Sequence, residues 1–153
     1  RFFNVFGPRQ RPDHEYAAVL PKWIWLAMQG EPIDVYGDGS ASRDFTYVDT
    51  VLDIAMTAMQ EKVITEGAMN LAYGNRIFLN DTIEMLKKLF PDLQVNYKPE
   101  RLGDVKESQN APELLKTLFP NVQPKPFESA LNETVLWLKK FGDSVANGPK
   151  TLD

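Results

Sequence analysis

The sequence contains no cysteine and a single histidine, His14. Without thiols there is no disulfide framework, thiolate metal site or cysteine nucleophile, and a reducing, cytoplasmic setting is the expectation. One imidazole cannot build a metal centre. A serine triad would have to use His14, which lies in a polar run and reads as a solvated side chain. Long apolar runs are also missing: the richest stretch, residues 19–28, is interrupted by Pro21 and Lys22, so no segment is expected to span a membrane. Neither sign of charge is in large excess. Seventeen basic against 21 acidic residues give a net charge of -4, which offers no footprint for nucleic acid or an anionic bilayer.

Three motifs are absent as well. No Gly-x-Gly-x-x-Gly run joins a strand to a helix, as a dinucleotide pyrophosphate requires. The turn Gly37-Asp38-Gly39-Ser40 lacks the lysine of a P-loop. No tyrosine is followed four positions later by lysine: after Tyr16, Tyr36, Tyr47, Tyr73 and Tyr97 stand Leu20, Ser40, Val51, Ile77 and Arg101. The chain therefore lacks an obvious acid/base pair.

What is present is one domain's worth of core: 153 residues, 43% of them hydrophobic. The chain begins at Arg1, within the aromatic run Phe2-Phe3-Asn4-Val5-Phe6, and reads as opening in a strand cut from something longer. Gly7-Pro8 ends that strand. Residues 17–29 carry Leu20, Ile24, Ala27 and Met28 at helical spacing, with Pro21 in the first turn and Gly30 as the stop. Residues 33–36 predict a strand closed by Gly37-Asp38-Gly39, and residues 45–48 a second extended piece. Asp49 is the expected N-cap of a helix burying Leu52, Ala55, Met56 and Met59. A strand over 68–73, a helix over 80–90 stopped by Pro91, and a strand over 94–97 follow. The charged segment 98–110 has no periodicity. Asn110 and Pro112 start a short helix through 119, and the last helix runs over 127–141, with Leu131, Val135 and Leu138 on one face and Gly142 as its stop. The remainder, 143–153, reads as a polar, frayed tail. Irregular alternation of short strands with helices predicts a mixed α/β fold, with too few strands for a complete doubly wound sheet. The expectation is a small lobe that packs on a larger sheet.

The polar residues that stand out suit anion binding. Arg43 follows a Gly- and Ser-rich turn and enters a strand, where a guanidinium can grip phosphate with two donors; the plain alternative is a surface pair with Asp44. Arg101-Leu102-Gly103-Asp104 sets a second arginine in a glycine-containing loop, or simply a solvated charged turn. Asn4 interrupts an apolar strand and needs a partner, either in the core or on a ligand. Trp23 and Trp25 lie on different helix faces, so one can stack on a planar base while the other packs, unless both are core aromatics. Gln10 and Ser108 carry no signal of their own.

Together, Arg1-Phe2-Phe3-Asn4-Val5-Phe6-Gly7-Pro8-Arg9-Gln10, the segment from Tyr16 to Trp23, Gly37-Asp38-Gly39-Ser40-Ala41-Ser42-Arg43-Asp44-Phe45-Thr46-Tyr47-Val48-Asp49, and Arg101-Leu102-Gly103-Asp104-Val105-Lys106-Glu107-Ser108 resemble, in order and spacing, the C-terminal part of the extended short-chain dehydrogenase/reductases. Within them the chain is most similar to nucleotide-sugar epimerases of the UDP-N-acetylglucosamine 4-epimerase and N-acetylglucosaminuronate types, enzymes of surface-polysaccharide synthesis. The resemblance covers about residues 1–141.

It implies a substrate-binding lobe, residues 1–142, separated from most of its Rossmann domain, with 143–153 as a tail. In the family, the position of Asn4 contacts the UDP-sugar near its diphosphate, and that of Phe3 borders the nicotinamide. The positions of Ala18, Val19 and Trp23 lie where a helix opens beside the nucleotide. Those of Val35 and Tyr36 line the uracil pocket, and those of Arg43, Arg101 and Asp104 hold diphosphate and ribose. The positions of Gln10 and Ser108 lie by the sugar. The implied cofactor is NAD, bound mainly by the other domain, and the implied partners are a UDP-sugar and, for the whole protein, a second copy of itself. In the implied reaction a Tyr assisted by a Lys, both upstream of Arg1, takes the proton of the sugar 4-hydroxyl while NAD accepts hydride from C4. The 4-keto sugar turns over and is reduced on its other face. Asp49-Thr50, where many relatives carry an acidic pair, and Asn110, where they carry Asp, depart from the pattern. The same motifs fit a dehydratase or decarboxylase of the superfamily, and the non-enzymatic alternative is a free-standing nucleotide-sugar-binding module.

Overall fold

A computed structural model describes residues 1–13 and 17–146. Among them the elements run β1 (Val5–Phe6), α1 (Val19–Met28), β2 (Ile33–Tyr36), β3 (Ser42–Arg43), β4 (Thr46–Tyr47), α2 (Val48–Glu61), β5 (Ile77–Phe78), α3 (Leu79–Leu89), β6 (Val95–Lys98), α4 (Glu113–Leu118) and α5 (Phe127–Ala146). The strands pair two by two. β1 runs parallel to β4, β2 parallel to β6 with Ile33 opposite Val95 and Tyr36 opposite Lys98, and β3 antiparallel to β5.

Periodicity explains the main core. Leu20, Trp23 and Ile24 from α1, Ile83 and Leu86 from α3, and Leu131, Val135 and Leu138 from α5 bury one stripe of each helix around Ile33 and Val35 of β2. Pro21 sits in the first turn of α1, where its missing N–H has no helical acceptor in any case. Phe6, Phe45, Tyr47 and Phe127 add an aromatic cluster with ring centres 5.3–5.9 Å apart. A second, smaller core gathers Ile54, Leu71, Tyr73, Leu115 and Phe119.

Several elements depart from the sequence expectations. The opening strand shortens to two residues because Asn4 takes φ 37°, a left-handed bend that asparagine tolerates. The strand expected over 68–73 is a single bridge, Leu71 to Phe2. Asp49 lies in the first turn of α2 rather than at its cap, Tyr47 taking that place. The buried face of α2 is Thr50 and Ile54, while Leu52, Ala55, Met56 and Met59, the stripe expected inside, face outward; Leu52 is 56%, Met56 50% and Met59 65% exposed. Gly142 does not stop α5, which continues to Ala146. Its role is space, since a Cβ there would lie 2.5 Å from the Trp25 ring. The expectations for His14, Tyr16 and the tail beyond 146 fall outside the described residues. Among the described residues no helix is long and apolar enough to cross a membrane.

Candidate functional site

One end of the parallel pair β2–β6 opens into a cavity of about 540 Å³ between α1, β2, the turn after β2, Arg43 and the loop 100–106. That is the size of a small-molecule site, roughly 300–1,000 Å³. Strand alternation sorts its wall. Asp34 and Tyr36 border the cavity, whereas Ile33 and Val35 point into the core. The resemblance set Val35 and Tyr36 on the same pocket; period two puts the Val35 side chain on the opposite face, fully buried.

The N-terminus of α1 borders the cavity through Ala17 and Val19. Ala18, at the cap position, makes no side-chain cap bond, and the first turn carries no acidic residue, so among the described residues no side chain caps its backbone N–H groups. One turn on, Trp23 is buried with an edge on the cavity, and its indole N–H donates to the Asp34 carbonyl at 3.1 Å, tying α1 to β2. Trp25 packs elsewhere, on Gly142.

Both arginines expected at an anion site border this cavity. Arg43 Nη1 donates to the carbonyls of Ser42 (2.9 Å) and Val105 (2.7 Å), which fixes the guanidinium plane and leaves Nη2 and Nε with no protein acceptor among the described residues. Arg101 lies over the Tyr36 ring, 3.6 Å from its centre. Neither arginine makes an ion pair among the described residues, so the surface pair Arg43–Asp44 does not form. Asp104 closes the turn that carries Arg101, its N–H donating to the Arg101 carbonyl at 3.1 Å. Lys22, Asp38, Ser40 and Lys106 also border the cavity and were not singled out by the sequence. Their signals were present but weak: Lys22 in the first turn of a helix, Asp38 inside Gly-Asp-Gly, Lys106 in the quoted loop motif. The Ser40 hydroxyl and N–H both donate to Asp38, and these bonds hold its carboxyl below the usual range. Lys106 faces Glu100 at 3.4 Å and Lys98 faces Asp34 at 3.7 Å, so the carboxylates at the rim are partly neutralised while the arginines are not.

The remaining expected residues are not on this cavity. Asn4 donates from Nδ2 to the Asp44 carbonyl at 3.4 Å, and Phe3 beside it is half-buried. Gln10 donates from Nε2 to the Val5 carbonyl at 3.2 Å, and its buried Oε1 has no partner among the described residues. Ser108 is placed by its backbone, donating to the Ser42 carbonyl at 3.1 Å. Among the described residues no group of His, Asp and Glu could hold a metal ion.

Comparison with known proteins gives this arrangement a family. Residues 1–72 match the NAD dependent epimerase/dehydratase family. The chain is 35% identical to a UDP-glucuronate 4-epimerase of Thermodesulfobacterium geofontis, over 92% of this chain and 42% of that protein. It is 31% identical to a UDP-N-acetyl-alpha-D-glucosaminuronate decarboxylase of Bacillus cytotoxicus, over 92% and 46%. Among solved structures it is similar to UDP-N-acetylglucosamine 4-epimerase from Methanobrevibacter ruminantium in complex with UDP-N-acetylmuramic acid, with 36% identity and a TM-score of 0.81, covering 92% of this chain and 45% of that one. The chain thus spans somewhat less than half the length of these relatives.

The family's cofactor does not fit the described residues alone. The strand-to-helix junctions Tyr47–Val48 and Phe78–Leu79 run straight from strand to helix with no glycine turn, and β1 passes into a loop instead of a helix. A dinucleotide pyrophosphate has no cradle here. With the family match at its start and the structural likeness running over nine-tenths of its length, the chain belongs to the NAD-dependent epimerase/dehydratase family, the extended short-chain dehydrogenase/reductases, as a partial C-terminal lobe.

Proposed function

We propose that the cavity beside β2 is the nucleotide-diphosphate end of a UDP-sugar site, and that the chain is the substrate lobe of an NAD-dependent UDP-sugar 4-epimerase of the UDP-N-acetylglucosamine type. The observation that carries this reading is the convergence of Arg43, Arg101 and the start of α1, without a side-chain cap among the described residues, on one cavity with an aromatic wall. Two guanidiniums and a helix N-terminus suit a diphosphate, and the Tyr36 ring suits a planar base. Asp104, on the same loop, is a hydroxyl acceptor for a ribose. In this reading Asn4, Gln10 and Ser108 serve the sugar from outside the cavity, with Phe3 at the boundary toward the cofactor.

An epimerase must grip the nucleotide firmly and let the sugar turn. This chain supplies the firm half. Proton transfer and redox chemistry belong to residues the chain does not contain, so it alone turns over no UDP-sugar; the whole protein works in the cytoplasm, as a homodimer. The outward stripe Leu52, Ala55, Met56 and Met59 supports a two-lobe enzyme, since an amphipathic face of that length is ordinarily covered.

Calorimetric titration tests the reading with UDP, UDP-N-acetylglucosamine and, as control, ADP. Binding of UDP that weakens at least tenfold in Arg101→Ala is expected. Failure of a protein carrying both lobes to bind UDP, or measured epimerase turnover by the 153 residues alone, would overturn it. The similar decarboxylase makes UDP-N-acetylglucosaminuronate the second substrate to assay, with carbon dioxide release as the discriminating product.

A further inference from the structure

We infer that Asp44 is a positioning residue for the cavity, holding the loop that carries Arg101 and Asp104 in its binding-ready place. The inference deepens the UDP-sugar reading, on which it rests only for the identity of the ligand. Asp44 is fully buried and makes no ion pair among the described residues. A carboxylate in that setting is costly unless its oxygens are hydrogen-bonded. Its oxygens take three backbone N–H groups: Gly74 at 2.9 Å, Asn75 at 3.1 Å and Asn110 at 3.2 Å. Burial pushes the carboxyl up, while the N–H groups of Asn110, Gly74, Asn75 and Tyr73 pull it back down.

The three donors come from two loops distant in sequence, and one of those loops ends the cavity wall. Two residues before Asp44, Ser42 donates its N–H to the Lys106 carbonyl at 2.9 Å and accepts at its own carbonyl from Ser108 N–H at 3.1 Å, so residues 106–108 run along β3 like a further strand. Arg43 holds Val105, and Arg76 pairs with Glu107 across the same corner. Asp44, like Ser42 fully buried, adds the last bond of this series. It pins Asn110, whose side chain also accepts from Asn70 at 2.8 Å, while Gln109 donates to the Gly74 carbonyl at 2.8 Å. Asparagine cannot replace it, because its amide nitrogen would meet N–H donors with no acceptor to offer. Ordering the loop during folding removes that entropy cost from ligand binding, so loss of the pin appears as lost affinity.

The experiment compares the protein with its Asp44→Asn variant by backbone ¹⁵N relaxation and by UDP titration. Expected are order parameters over residues 101–108 falling from about 0.85 toward 0.6, unchanged values in α1 and α3, and UDP affinity reduced at least tenfold. Equal loop order in the two proteins, loosening spread evenly through α1 and α3, or a loosened loop with unchanged UDP affinity overturns the inference. If the wild-type protein carrying both lobes binds no UDP yet the variant's loop alone loosens, the UDP reading falls and the pin stands. Should the variant not fold, the wild type decides: the amide protons of Gly74, Asn75 and Asn110 must shift with one midpoint, that of the Asp44 carboxyl carbon, and separate midpoints overturn the assignment.

Discussion

The guanidinium of Arg101 lies 3.6 Å from the centre of the Tyr36 ring, across 65 residues of sequence. The stack joins a strand residue to a loop residue over the cavity, so the ring holds the cation beside the place where a diphosphate would lie. At an exposed position it contributes only about 0.5–1 kcal/mol to folding, whereas a charge-assisted bond to phosphate contributes about 1.5–3 kcal/mol to binding. Arg101→Ala is therefore expected to leave the melting temperature nearly unchanged and to weaken UDP tenfold or more. Arg101→Lys keeps the charge but loses the planar stack, and recovers less than half of that loss on a logarithmic scale. Calorimetry and thermal melting on the same samples check both, and a melting loss as large as the binding loss would refute the division.

The turn after β2 is closed by Gly39, at φ +76°, where a Cβ would lie 2.0 Å from Asn80 Oδ1. Asn80 in turn donates from Nδ2 to the Asp38 carbonyl at 3.1 Å, so the glycine lets α3 dock on the cavity's turn. Gly103, at φ +90°, has nothing within 4 Å. Gly103→Ala then costs only left-handed strain, roughly 1–2 kcal/mol, while Gly39→Ala adds a clash and costs clearly more. Urea denaturation followed by tryptophan fluorescence ranks the two, and equal costs would remove the packing role of Gly39.

The elements legible in the sequence were those whose own pattern suffices. Ile33 and Val35 alternate with Asp34 and Tyr36, and Leu20 and Ile24 recur at one turn, so β2 and α1 were placed within two residues. β3 and β5 were not expected, since each has two residues and exists because the other is opposite it: Ser42 meets Phe78 and Arg43 meets Ile77. Periodicity found a stripe on α2 but not its direction. Leu52, Ala55, Met56 and Met59 are at helical spacing, yet the small core formed by Leu71 and Phe119 takes Ile54 from the neighbouring face. At the cavity, Arg43 and Arg101 could be singled out as types in suitable loops. Their meeting, the stack on Tyr36 and the inward side chain of Val35 depend on tertiary placement and strand phase, which no single segment encodes.

Glu133 makes a pH prediction with a definite sign. Its carboxylate accepts from Lys125 Nζ at 2.6 and 2.7 Å and from the Tyr47 hydroxyl at 2.9 Å, and these bonds hold it below its ordinary value of 4.5. A lowered folded-state value means that the stabilisation is complete above the unfolded value and is lost as pH falls through the folded one. Asp44, raised mainly by burial, acts with the opposite sign, so the wild-type profile mixes the two. The difference between wild type and Glu133→Gln isolates Glu133. That difference should favour wild type at pH 7 and close on acidification below about pH 4. Urea midpoints at pH 7, 5 and 3 measure it, and a gap as wide at pH 3 as at pH 7 would contradict the pairing.

The stripe on α2 separates a solvent face from a covered one. Glutamate at Leu52 and Met56 introduces charge where both side chains are half exposed or more in this chain. Surface substitutions of that kind change stability by no more than about 0.5 kcal/mol. In the 153-residue chain the double variant should therefore unfold at the same urea concentration as wild type and associate less with itself in light scattering. In a protein that carries the other lobe, the same charges would sit against apolar surface, and a buried unpaired charge is among the most destabilising changes available. The expected outcome is a large loss of stability, and of epimerase activity with it, in the two-lobe protein only. An equal, small effect in both proteins would mean that the stripe faces water throughout and that the second lobe docks elsewhere.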